Sequence, residues 1–241
     1  MKKFRKFISS PKVTLAVFGA AAVLLLFSSV GGARAALTYY SENHMTELET
    51  QTIDVTLIEQ TGENEAVSNP EALLENLIPD GEKIKVGVKY AEKLSVQNTG
   101  EIDQYVRVTI YKYWVDGENK KQDVYPGYID LNLLLENGWE EDTAASTQER
   151  TVIYYKKPLG SGESVDFADS LRIDPAVAEI VTKESDGVSY DYQGLEFRIK
   201  VDVDAVQTHN AADAILSSWG REVDNSGADE DGVLSSLNFK C

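Results

Sequence analysis

The 241-residue chain carries 40 Asp and Glu against 23 Lys and Arg, a net charge of −17 with a pI near 4.5, and 42% hydrophobic residues. That length fits one domain, or one with a small appendage, and the apolar content suffices for a core. So acidic a surface repels phosphate backbones and excludes nucleic-acid binding; one Cys excludes a disulfide framework within the chain, and two His leave little for a metal or acid–base site.

The chain opens with an address. Residues 1–35 hold six basic residues and no acidic one. Met1–Lys12 is a basic n-region and Val13–Val30 an apolar run; Gly31-Gly32 then breaks the helix before Ala33-Arg34-Ala35, an A-x-A signal. The expected cut falls between Ala35 and Ala36. The competing reading is a retained anchor, since about 18 apolar residues just span a bilayer core. No Cys follows the apolar run, which excludes lipoprotein anchoring. The processed chain has 17 basic and 40 acidic residues, a net charge of −23. It is expected outside the cytoplasmic membrane, having touched it only through the signal peptide.

Beyond this leader the chain reads as strands. Ile53, Val55 and Leu57 alternate with Thr52, Asp54 and Thr56, and Ile84, Val86 and Val88 alternate with lysines and Gly87. A short run covers Lys93–Gln97. In Gln104–Val115, Val106, Val108 and Ile110 face one way and Tyr105, Arg107, Thr109, Tyr111 and Tyr113 the other. Further runs lie at Thr151–Lys156 and Val165–Ile173. The clearest pattern is 195–204, where Leu195, Phe197, Ile199, Val201 and Val203 alternate with charged residues. Turn chemistry separates the runs, at Asn98-Thr99-Gly100, Asp116-Gly117, Pro126-Gly127, Gly160-Ser161-Gly162 and Asp186-Gly187. Many strands at short spacing without alternating helices predict a mainly β protein, an antiparallel β-sandwich. Two short peripheral helices are expected: Pro70–Leu77 capped by Asn69, and Ala211–Trp219 capped by Asn210, ended by Gly220, with Ile215, Leu216 and Trp219 on one stripe. Residues 36–220 form the predicted domain, and 221–241, acidic and poor in large apolar groups, a flexible tail.

Chemistry is sparse. His44 and His209 belong to no H-E-x-x-H pair, no G-x-S-x-G elbow or Gly-rich phosphate loop occurs, and Cys241 is the last residue. The run Asp224–Gly232 has oxygen ligands of the kind calcium takes, but it lacks the first-position acid and the bidentate Glu, so it reads as a solvated acidic loop. Asp116, Glu118 and Asp123 form a looser set. Asp202 and Asp204 point from a wet strand face, where ion pairing explains them, although paired carboxylates for glycoside hydrolysis are compatible with such a surface. No catalytic, cofactor-binding or metal-binding residue is assigned. The tyrosines have two readings, packing on half-buried strands or contact between subunits.

Three stretches together resemble the TasA/camelysin-like exported matrix proteins of Gram-positive bacteria. They are the signal peptide with Gly31-Gly32 followed by Ala36-Leu37-Thr38-Tyr39-Tyr40-Ser41-Glu42, the strand Thr52–Leu57, and Val96–Val108 with its N-T-G turn leading into Y-V-R-V. The run Ala205–Ile215 with Trp219-Gly220 is similar to such proteins as well, and the order of these motifs along 13–220 carries the resemblance. It implies a jelly-roll-like sandwich, processing by a SipW-type signal peptidase, and assembly as a homopolymer into fibres of a biofilm matrix. Camelysin has also been described as a surface metallopeptidase; no zinc motif here supports that activity. A monomeric surface adhesin and a secreted hydrolase are the competing classes. Strand donation is the expected mechanism of assembly: cleavage frees Ala36–Glu47, whose Leu37, Tyr39 and Tyr40 complete the sheet of a neighbouring copy.

Overall fold

The computed structural model describes residues 52–70, 73–74, 76–78, 82–117, 119–121, 123–179 and 194–240, and the backbone of 181–184 and 187–190. All of them belong to one compact unit, Gln51–Cys241. The expected cleavage residues Ala33, Ala35 and Ala36, the donor-strand residues Leu37, Tyr39 and Tyr40, and His44 and Cys241 lie outside the described residues.

Two antiparallel sheets pack face to face. In the first, β1 (Val55–Thr61), β3 (Lys89–Asn98), β9 (Ser164–Ile173) and β6 (Ile129–Leu133) lie side by side, with the two-residue β2 (Val67–Ser68) outside β1. In the second, β12 (Glu196–Gln207), β4 (Gln104–Asp116), β8 (Arg150–Tyr155) and β7 (Trp139–Glu141) follow in that order, and β5 (Asn119–Lys121) pairs with the end of β4. A separate hairpin joins β10 (Val181–Glu184) to β11 (Gly187–Tyr190). The long-range pairs β3–β9 and β4–β8 nest one inside the other on opposite sheets, the winding of a jelly-roll-like sandwich.

Alternation along β4 builds the core between the sheets. Val106, Val108, Ile110 and Trp114 point inward and are at most 3% exposed, meeting Leu94, Val96, Phe167, Leu171 and Ile173 of the other sheet. Trp139 closes one end, edge-on to Phe167 at 5.9 Å and tilted against Tyr155 at 5.3 Å. Lys112 occupies an inward position of the same strand. Its Nζ donates to the Ile129 carbonyl of the opposite sheet at 2.8 Å, and burial pulls its pKa below the ordinary lysine value, with Asp130 and Glu141 pushing back.

Part of the other face of the second sheet, around Tyr105, Val152, Tyr154 and Val206, is buried too. The single α-helix among the described residues, α1 (Ala211–Trp219), and the chain after it cover this part. Tyr105, Val152, Tyr154 and Val206 pack there against Ala211, Ile215, Trp219, Val223, Leu234 and Leu237. Residues 221–240 are therefore part of the folded domain and not the expected flexible tail. Their few large apolar groups are spaced so that each reaches the sheet. Tyr105, fully buried, uses its hydroxyl twice: it donates to the Leu234 carbonyl at 2.6 Å and accepts the Leu234 N–H at 2.9 Å. Tyr154 stacks on Phe239 at 4.4 Å, and Arg221 Nε lies 3.0 Å from the buried Asp142 carboxylate.

Several local expectations need correction. Over Pro70–Leu77 the described residues form turns and a bend instead of a helix. Asn69 takes a positive φ of 48° and its side chain accepts the Leu57 N–H, so it pins β1 instead of capping a helix. Ile84–Val88 is not a strand: Gly87 turns the chain at φ 80°, its N–H held by the Ile173 carbonyl. In α1, Asn210 makes no side-chain cap, and Leu216 is 47% exposed while Ile215 and Trp219 are buried.

Candidate functional site

The site lies where the sandwich fails to close. β12 bonds only to β4 among the described strands, so its other edge, twelve residues long, presents backbone N–H and C=O groups along one side of the second sheet. Across from it, β1 bonds to β3 along its full length and to β2 only at Ile58 and Glu59. The edges of the two sheets approach each other here without pairing.

The side chains of β12 register that gap. In a closed sandwich Phe197, Ile199, Val201 and Val203 belong in the core. Here each is only half-buried, although Trp114, Ile110 and Val108, which face Phe197, Val201 and Val203 from β4, are buried. A cavity of about 1290 Å³ accounts for the difference. Leu195, Phe197, Ile199 and Val201 form one wall, Trp114 and Ile173 the floor, and Leu73, Leu74, Leu77, Ile84 and Val86 the opposite wall. Glu82, Lys83, Arg198 and Lys200 stand at its rim. A second cavity of about 610 Å³ continues along the same edge, between Val55 and Leu57 of β1 and Val201–Asp204 of β12. Leu57 and Val201 line both cavities, so open space follows the edge of β12 from Gly194 to Asp204, largely apolar along Leu195–Val201 and polar beyond, where Arg107, Thr109, Asp202 and Asp204 line it.

The first described residues, 52–54, are fixed by a turn. The Asp54 carbonyl accepts the N–H groups of Thr99 and Gly100, and the Thr52 carbonyl accepts that of Glu101, each at 3.0 Å. Asn98, fully buried, anchors the turn: its amide nitrogen donates to the carbonyls of Ile102 and Leu159, and its oxygen accepts the Gly100 N–H and the Gln104 side-chain amide. The N-T-G turn of the sequence is thus the clamp that holds residues 52–54 at the head of β1.

Two buried acids, Glu59 on β1 and Glu92 on β3, have no counterpart among the sequence expectations. Glu59 is 7% exposed and Glu92 fully buried. Their signal is an acid at an inward position of each strand, legible only once the register pairs Thr61 with Glu92 and Glu59 with Leu94. Burial and the adjoining Glu59 raise the Glu92 pKa to about 8, against a hydrogen bond from Thr61 that lowers it.

The other residues singled out fall elsewhere. His209 is exposed beside the helix start. Asp224 and Asp229 spend their carboxylates on turn N–H groups of Ser226, Asp231 and Val233. Asp204 pairs with Arg107 at 2.8 Å and Asp202 with Lys200 at 2.8 Å. Tyr105 and Tyr154 are packing residues, and Tyr125 is exposed. Among the described residues no three His, Cys, Asp or Glu side chains gather as metal ligands, and no helix is long and apolar enough to cross a membrane. Neither a scan against protein-family models nor a search of curated proteins finds a match to this chain.

Proposed function

We propose that the protein is an exported structural subunit that joins copies of itself into extracellular or cell-surface fibres of a biofilm matrix, by donating the strand freed at Ala36 into the groove beside β12 of the next copy. The observation that carries this reading is the half-buried row Phe197, Ile199, Val201 and Val203 on an edge with no partner among the described strands. Such an edge is satisfied by an added strand, whose backbone completes the ladder while alternate side chains fill the apolar space. Residues 36–47 match that need in chemistry, with Leu37 and Tyr39 falling on one face of an extended chain and Glu42 and Glu47 available to the Lys83, Arg198 and Lys200 rim.

Donation from one copy into the next is head-to-tail, and such contacts extend into filaments unless the geometry closes a ring. The resemblance to TasA/camelysin-like matrix proteins agrees with this mechanism and supplies the SipW-type peptidase as the processing partner. Replacing Ile199 by Asp tests it. The side chain is half-exposed at the edge, so the domain stays folded by circular dichroism, while a carboxylate in the apolar groove prevents strand entry. Electron microscopy of I199D protein starting at Ala36 then shows single particles where the parent forms filaments. Filaments of parental length from I199D contradict the reading.

A further inference from the structure

Glu59 and Glu92 occupy the inward face of β1 and β3, in the row that elsewhere holds Leu57, Leu94 and Val96. Burying one carboxylate is costly and burying two side by side far more so, because each disfavours the ionised form of the other. The hydrogen bonds show what the pair does. Glu92 Oε2 accepts the Thr61 hydroxyl at 2.9 Å, its buried Oε1 has no hydrogen-bond partner among the described residues, and the Glu59 carboxyl adjoins it. Glu59 Oε1 accepts the backbone N–H of Leu74 at 2.6 Å. Leu74 stands at φ 72°, the left-handed region that a leucine rarely adopts. Its side chain and that of Leu73 form the groove wall opposite β12. A strained wall residue is thus held by one carboxylate, which is itself supported by a second.

We propose that the Glu59–Glu92 pair is a proton-operated latch: a proton shared between the carboxyls keeps Glu59 bound to Leu74 and the groove wall in place, and loss of that proton releases the wall and opens the groove. The latch rests on the reading of the groove as a strand-accepting site and adds its regulation. Among the described residues, Glu59 of β1 is the charged group that adjoins Glu92. Among the acids of β9, Asp166 reaches outward to Lys93 at 3.0 Å and Asp169 to Lys89 at 3.9 Å. Leu73 and Leu74 bring no charge, and Glu82 and Lys83 stand at the rim.

Proton linkage sets the direction with pH. Glu92 titrates near 8 in the folded chain, against an ordinary value of 4.5. The folded state holds the extra proton between those values, so the stability this group contributes is complete below pH 4.5 and is lost progressively up to about pH 8. The latch is shut at neutral pH and opens in mildly alkaline solution.

The test uses protein starting at Ala36, kept monomeric at low salt, with the neutral apolar dye Nile red as the groove probe between pH 6 and 9.5. The parent shows a several-fold rise in dye fluorescence with a midpoint near pH 8. E92Q, whose amide donates permanently to Glu59, shows no rise, and neither does E59Q, which removes the repulsion while keeping an acceptor for Leu74. A flat parental response, or the same transition in E92Q, overturns the proposal. If E92Q fails to fold, a carbon-13 carboxyl titration of the parent decides: a Glu92 signal titrating near 8 supports the latch, and one near the ordinary glutamate value of about 4.3 overturns it. Since the dye reports on the monomer, a failed latch leaves the filament reading standing, and absent filaments leave the latch standing.

Discussion

Gly100 shows how much of this architecture turns on single atoms. A Cβ there would lie 2.3 Å from the Gln104 side-chain amide, 2.4 Å from the Thr52 carbonyl and 2.9 Å from the Asp54 nitrogen. The Gln104 amide can move, but the other two are backbone atoms of the clamp. Gly100→Ala therefore forces apart the turn and the head of β1, and costs about 2–3 kcal/mol, an overpacking penalty in a site with no room to relax. Denaturant unfolding of parent and variant measures that loss. Asn98, by contrast, works through polar satisfaction: four hydrogen bonds converge on one buried amide, and its loss orphans groups that water cannot reach.

At the scale of elements, the segment after α1 departs furthest from its composition. Removing 221–241 uncovers Tyr105, Val152, Tyr154 and Ile215 and strips Tyr105 of both its partners. The truncated domain is expected to lose several kcal/mol, seen as a fall of about ten degrees or more in Tm or as aggregation on expression; an unchanged Tm contradicts this packing. The strands are more legible in the sequence. Period-two alternation locates β4, β8, β9 and β12 to within a few residues, because a half-buried strand writes its environment into every second side chain. Ile84, Val86 and Val88 carry the same pattern without the strand, since Gly87 turns the chain and two of the three apolar groups serve the groove wall instead. The groove itself is not legible. Phe197, Ile199 and Val201 look like core residues in any sequence, and only the missing partner beside β12 makes them a site. The second core is hidden for a similar reason: Val223, Leu234 and Leu237 are isolated in an acidic stretch, and only the helix–sheet packing brings them together.

For the molecule as a whole, the assembly we propose is opposed by charge and favoured by the apolar groove. A processed chain with net charge −23 repels its copies at long range. Screening shortens that repulsion to about 8–10 Å near physiological ionic strength, while the apolar contact inside the groove is unaffected. Assembly is therefore expected to accelerate several-fold between about 10 and 150 mM monovalent salt, read as the lag time in light scattering. A rate independent of salt contradicts this balance. The most direct measurement compares two purified chains by electron microscopy under identical salt and pH, one starting at Ala36 and one lacking Ala36–Met45. Filaments from the first and folded single particles from the second are the predicted pair, and normal filaments from the shortened chain would contradict the account.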